Sequence, residues 1–460
     1  MILKTQMGGE TYEFSSIREV MAKANEVKSG DTLAGIGAGS RMERIAAKIV
    51  LSSLTVADLR NHPAVPYEDD FVTRIIQDDL DEDVYRECSS WTMGELRDYL
   101  LDGSTDGDEM LRIGRGLTSE CIAGVAKLMG NLDLMYAGNK MKVLATCNTT
   151  IGEKQVLASR LQPNHPTDSV KGVEASLMEG LSYGVGDAVL GLNPAVDTVD
   201  STIAIWNLLR DVKERLEIPT QTCVLSHVTT QMKALRTGAK ADLCFQSLAG
   251  SEKACRAFGI TDRILGEAWQ MFREDGLAKG PNVMYFETGQ ASELSSSAHY
   301  GWDQVTMECR CYGLARHYQP FLVNTVVGFM GPEYLYDSAQ LQRAGLEDVF
   351  CGHLHGLPMG CDVCYTNHMP TNQNDIEGLA VLLTAAGCHY FMGLPQGDDI
   401  MLMYQSTGYH DIAALREMTK KEPIAEFKAW LEQRGIWEQG HLGPYAGDPA
   451  RLMERARGRN

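Results

Sequence analysis

The chain lacks the features that would direct it to a membrane or to a nucleic acid. It holds no run of about 18 apolar residues, the length that marks a bilayer-spanning helix. Its opening, MILKTQMGGETYEF, has no apolar stretch of signal-peptide length, so the expected location is the cytosol. Positive charge is scarce: 42 Lys and Arg stand against 61 Asp and Glu, a net charge of −19. Such a surface repels phosphate backbones, so nucleic acid is not an expected partner. Low-complexity tracts and internal repeats are missing too. What is present is 44% apolar and 22% charged residues over 460 positions, the balance of a globular protein with a large core. Twelve cysteines in a cytosolic chain read as reduced, small core side chains.

Residues 1–110 read as a helical domain. Ile17, Val20 and Met21 fall at helical spacing. Ser40 with Glu43, and Thr92 with Glu95, have the spacing of capping boxes. The glycines of GIGAGS, 35–40, are spaced G-x-G-x-G rather than G-x-G-x-x-G, and no apolar strand precedes them. They read as a loop entering a capped helix.

From about residue 140 short apolar, β-branched runs alternate with helical patterns. The runs are KVLATCNT (142–149), GVGDAVLGLN (184–193), TQTCVLSH (220–227), LCFQSLAG (243–250), NVMYFETGQ (282–290), FLVNTVVGFMG (321–331), MGCDVCYT (359–366) and HYFMGLP (389–395). Strands separated by helices imply parallel pairing with crossover connections. Eight of them favour a closed (β/α)8 barrel over a doubly wound sheet. We therefore expect an α/β protein: an N-terminal helical domain at 1–110, a barrel at 111–435 and a C-terminal extension, polar and solvated or partner-contacting, at 436–460.

In such barrels chemistry sits at the C-terminal ends of the strands. The expected mouth holds Arg160 and Gln162 after strand one, Asn193, His227, Gln246 with Ser247, Glu287, and Asp362, with MGLPQGDDIM after strand eight. Two carboxylates, a guanidinium and three amides then converge. Carboxylates in a barrel interior need a partner; Arg160 could be that partner for structure alone.

The stretch MGCDVCYTNH has a Cys-x-x-Cys pair, and Cys351, His353 and His355 precede it. Neighbours in a strand alternate faces, so Cys361 and Cys364 point opposite ways and cannot grip one ion without a turn. We read both as core cysteines facing away from the cavity, with Asp362 on the functional side and no metal. A metal-dependent barrel hydrolase using His353, His355, His227 and Asp362 is the alternative; an assembly subunit without catalysis is a further one.

The motifs SRLQPN, GVGDAVLGLNP, CVLSHVTTQ, FQSLAGSEK, YFETGQ, NTVVGFMGPEYLY, MGCDVCYTNH and MGLPQGDDIM together resemble the large subunit of ethanolamine ammonia-lyase. The resemblance runs over nearly the whole chain. It implies an adenosylcobalamin-dependent radical lyase converting ethanolamine to acetaldehyde and ammonia. It implies a small-subunit partner, cobalamin between the two chains, a trimer of dimers and residence in a bacterial microcompartment. Position by position it implies a substrate site of Arg160, Gln162, Asn193, Glu287 and Asp362, with Glu287, Asp362 and Arg160 in the catalytic roles. Cofactor contacts fall on Pro194, Gln246, Ser295 and Met401. Carboxylates suit an ammonium, and Arg160 and Asn193 suit a hydroxyl.

Overall fold

The computed structural model describes residues 3–400 and 403–457. Short helices fill the N-terminal region. Ile17, Val20 and Met21 are buried on the helix Ile17–Ala24, which packs on the helix Arg41–Ser53. The Ser40 hydroxyl accepts from the Glu43 N–H at 3.1 Å, but the Glu43 carboxylate reaches one residue further back, to the Gly39 N–H at 2.6 Å. Only half of the expected box therefore forms there. At Thr92 both halves form, with Glu95 returning to the Thr92 N–H at 2.8 Å. GIGAGS is the loop between the helix Ser29–Leu33 and Ser40.

Eight parallel strands make the barrel: β1 (Ala158–Leu161), β2 (Val189–Leu192), β3 (Thr222–Val224), β4 (Cys244–Ser247), β5 (Met284–Thr288), β6 (Leu322–Val326), β7 (Met359–Asp362) and β8 (Tyr390–Gly393). Their order is 3-2-1-8-7-6-5-4, every neighbouring pair parallel. Between β3 and β4 the ladder is missing, and the Leu243 N–H donates to the Thr222 carbonyl at 3.2 Å across that seam. The crossovers include α1 (Val170–Ser182), α2 (Val199–Leu216), α3 (Val228–Arg236), α4 (Asp262–Asp275), α5 (Gln304–His317), α6 (Ser338–Leu354) and α7 (Gln373–Ala385), and α8 (Tyr409–Thr419) follows β8. This is the expected (β/α)8 architecture.

The first strand is not the one expected. The run 142–149 forms half of a small hairpin, Ala145–Thr146 with Thr150–Ile151. The Asn282 side chain accepts from Thr146 N–H at 2.7 Å and the Gln221 side chain from Asn148 N–H at 3.1 Å. Both partners lie just before barrel strands, so the hairpin covers the N-terminal end. An apolar, β-branched run reads alike whether it pairs within a barrel or plugs its floor. Arg160 consequently lies within β1 rather than after it.

One contiguous apolar core runs through the N-terminal helices and the barrel, and it includes Leu452 of the C-terminal helix Pro449–Arg457. That helix packs against α1 and α2, so this part of the expected solvated or partner-contacting extension rests on the barrel. Among the described residues no helix is long and apolar enough to cross a membrane.

Candidate active site

Alternation along β1 turns Arg160 inward, while Ser159 turns out to the Asp187 carboxylate at 2.6 Å. The arginine is fully buried and lies across Gly191 of β2, where a Cβ would stand 3.1 Å from its Nε. A larger residue there would crowd the guanidinium. Arg160 Nη1 donates to the Tyr285 hydroxyl at 2.6 Å and to Glu287 Oε1 at 2.8 Å, and Nη2 donates to Asn193 Oδ1 at 3.2 Å. Tyr285 in turn donates to Glu287 Oε1 at 3.3 Å. The network thus joins β1, the end of β2 and β5. Among the described residues Arg160 Nε has no partner, and neither does either side-chain polar atom of buried Asn324, which stands level with Glu287 on β6.

A second acidic group faces the first. Asp362 ends β7, fully buried, and accepts from the Tyr404 hydroxyl at 2.8 Å and from the Ser406 hydroxyl. Burial pushes its carboxyl up to about 7, with the negative charges of Asp399 and Glu287 adding to the shift against the two hydroxyl donors. Gln162 Nε2 donates to Asp399 Oδ2 at 2.8 Å, and Gln162 Oε1 is buried without a partner among the described residues. Asp399 and Tyr404 belong to a three-stranded antiparallel sheet, Tyr365–Thr366, Asp398–Asp399 and Tyr404–Gln405, at the barrel mouth.

All five expected substrate-site residues therefore stand at one end of the barrel, in two clusters: Arg160, Asn193 and Glu287, and Gln162 with Asp362. Sequence reasoning missed Tyr285, Asp399, Tyr404 and Ser406. Tyr285 was legible, since it lies two residues before Glu287 and shares its face. Asp399 lies in the quoted GDDIM. Tyr404 and Ser406 are on no barrel strand, and only the fold brings them to Asp362.

A cavity of about 390 Å³ opens beside these groups, bounded by Asn193, Glu287 and Tyr404, by Gln246, Ser247, Ser292 and Ser295, and by apolar Leu248, Phe258, Val326, Phe329 and Met330. Of the four expected cofactor contacts, Gln246 and Ser295 line it. Gln246 Oε1 accepts from the Val228 N–H at 2.9 Å, and the Ser295 hydroxyl donates to the Ser292 carbonyl at 2.9 Å. Pro194 follows Asn193 on the loop after β2, half-buried and off the cavity wall. Met401 lies outside the described residues.

The histidines do not assemble. His353 and His355 end α6 rather than occupying a loop; His353 Nδ1 pairs with the Gly138 carbonyl at 3.1 Å and His355 Nε2 with the Ser119 hydroxyl at 3.0 Å. Burial lowers them to about 4 and about 3 respectively. His227 is the N-cap of α3 rather than a strand end. Among the described residues no group of three or more His, Cys, Asp and Glu is placed to hold a metal, and nothing supports the hydrolase alternative. Cys361 joins the main core, and Cys364 packs with Met392, Leu394 and Tyr404. The two do part, but Cys364 lies on the mouth side, close enough for its thiol to interact with Asp362, and not away from it as expected. The chain leaves β7 at Asp362, so strict alternation no longer governs residue 364. Neither thiol lines the cavity.

A (β/α)8 barrel with buried guanidinium, carboxylate and carboxamide groups around a cavity at its mouth is a barrel enzyme for a small polar substrate. A family model described as ethanolamine ammonia lyase large subunit (EutB) matches residues 12–444. The ethanolamine ammonia-lyase large subunits of Escherichia coli (strain K12) and Salmonella typhimurium are each 52% identical over 450 residues, covering 98% of this chain and 99% of theirs. The chain belongs to the ethanolamine ammonia-lyase large-subunit family.

Proposed function

We propose that this chain is the catalytic large subunit of an ethanolamine ammonia-lyase, converting ethanolamine to acetaldehyde and ammonia. The observation that carries the reading is the convergence of Arg160, Asn193 and Glu287 with Gln162 and Asp362 beside one cavity. An ammonium offers three N–H donors and no acceptor, so it calls for Glu287, Asp362 and the free Gln162 oxygen. A hydroxyl accepts from Arg160 and bonds Asn193, and Glu287, already on Arg160, is placed to serve both ends. Asp362 must be ionised to hold the ammonium, and that positive charge itself favours the ionised form. The burial of Arg160, Gln162 and Asp362 keeps water from the reacting carbons and strengthens each contact.

Adenosylcobalamin, when bound, supplies the radical hydrogen-abstraction chemistry. The cavity fits part of it: apolar Leu248, Phe258 and Phe329 and polar Gln246 and Ser295 suit a nucleoside-sized group, whereas the far larger corrin has to lie outside. Gln246, Ser295, Pro194 and Met401 are the residues we assign to it. A corrin outside the barrel calls for a second protein surface, which supports a small-subunit partner. Assembly as a trimer of dimers and residence in a bacterial microcompartment belong to the same reading and rest on the family alone. The domain division at 110 and 435 is likewise our assignment.

Co-expression with the candidate small subunit, followed by adenosylcobalamin and ethanolamine, tests the proposal. Acetaldehyde and an organic radical signal are expected; an assembled, cofactor-loaded complex that yields neither overturns it.

A further inference from the structure

Gln162 stands one residue past β1, its N–H on the Gly393 carbonyl at 3.0 Å. A carboxamide has two faces of opposite character, and which one meets the substrate depends on what holds the other. Here Nε2 donates to Asp399 Oδ2 at 2.8 Å, while Oε1 is buried without a partner among the described residues. Asp399 is itself fully buried, on the strand opposite Tyr404. Asp399 Oδ2 accepts from Nε2, so it holds the NH2 group toward itself and turns the carbonyl oxygen away.

We propose that Asp399 is a positioning residue that orients Gln162 so that a carbonyl oxygen, and not an NH2 group, meets the substrate ammonium. The inference rests on the reading above that Gln162 binds the ammonium. With the amide reversed, two donors would face each other and one of the three ammonium hydrogens would lose its acceptor. The same small sheet supplies Tyr404, and the residue just beyond it is Ser406; these hold both oxygens of Asp362. The mouth sheet and the residue that follows it therefore hold two of the three proposed ammonium acceptors.

Asp399→Asn tests this in the assembled complex with the small subunit and adenosylcobalamin. The new carboxamide keeps the shape but can face Gln162 with either an oxygen or an NH2, so the orientation is lost. KM and the calorimetric Kd for ethanolamine are expected to rise about 10- to 100-fold, the worth of one hydrogen bond to a charged group, with kcat less affected. The inhibition constant of ethylene glycol, whose hydroxyl accepts from an NH2 as readily as it donates to an oxygen, is expected to hold within about threefold. Adding Gln162→Glu to Asp399→Asn should restore ethanolamine binding, because one oxygen of the new carboxylate accepts from the NH2 of the new carboxamide while the other faces the ammonium. A merely structural Asp399 would weaken both ligands together and show no such rescue. Should Asp399→Asn fail to fold, Asp399→Ser is read by the same ethanolamine-to-glycol ratio. Unchanged KM and Kd, equal weakening of both ligands, or absence of rescue would overturn the proposal. Gln162→Ala separates the two levels: if it leaves KM unchanged, the substrate reading of Gln162 fails as well; if it raises KM while Asp399→Asn does not, the orientation alone fails.

Discussion

Arg310 and Arg160 are both fully buried, and they differ in what they leave unsatisfied. Arg310, on α5, sits where the barrel meets the N-terminal helices. Its guanidinium donates to Asp70 and Glu120 at 2.7 Å each, to the Thr73 hydroxyl at 2.8 Å and to the Gly250 carbonyl at 2.7 Å. Every nitrogen has a partner, and both carboxylates are as buried as the arginine. Among the described residues Arg160 pairs with one carboxylate, which is 18% exposed, and its Nε has no partner. A closed ion network joins parts of a fold; one left open beside a cavity is available to a ligand.

The comparison breaks most visibly at Arg310. Arg310→Met strands two buried carboxylates and should cost about 3–5 kcal/mol, read as a large fall in Tm or loss of soluble protein. Arg160→Met should lower Tm far less, since Glu287 reaches the cavity, while abolishing turnover. Equal losses of Tm would erase the distinction.

Within the mouth the effects should grade by how many contacts a group makes. Glu287→Gln should lower kcat/KM by more than about 100-fold, because one carboxylate serves both ends of the substrate and the Arg160 pair. Asp362→Asn removes one charged hydrogen bond, worth roughly 1.5–3 kcal/mol, or about 10- to 100-fold. Near wild-type kcat/KM in both would sink the assignment. With its carboxyl held up to about 7, Asp362 should also give wild-type kcat/KM a limb that rises with pH through that value and flattens in Asp362→Asn.

The buried carboxylates around the end of β5 should respond to pH in stability instead. Burial pushes Glu308 and Glu293 up to about 7, so the folded state holds protons that the unfolded chain releases near 4. Their contribution is complete below about 4 and is lost as pH rises through about 7. Tm should therefore fall from about pH 5 to 8, and Glu308→Gln should make that fall shallower. Glu347, held at about 2 by Lys28 and Arg343 against the burial penalty, stays ionised throughout and adds no slope there. Smallest of all, Cys361→Ala should leave turnover and bound zinc unchanged; stoichiometric zinc lost in that variant would restore the metal reading.

Much of the fold was legible because a parallel barrel writes itself as alternating texture. Seven of the eight strands fall inside the runs read from the sequence; Glu287 stands one residue from the end of β5, and Asp362, expected deeper within its strand, ends β7. The run 142–149 misled because burial, and not pairing partner, determines its composition. His353 and His355 looked like ligands at H-x-H spacing, but they close a helix whose burial keeps them neutral at pH 7.

By itself the sequence determined the barrel class, seven of its strands and the residue types at its mouth, since periodicity and strand ends are local properties of the chain. Tertiary structure alone decided which groups meet. Tyr404 and Ser406 reach Asp362 from more than 40 residues away, and Asp399 reaches Gln162 across 237. Tyr285 comes between Arg160 and Glu287 only when β5 faces β1 across the closed barrel. Hydrogen bonds act over about 3 Å of space, and no spacing along the chain records them.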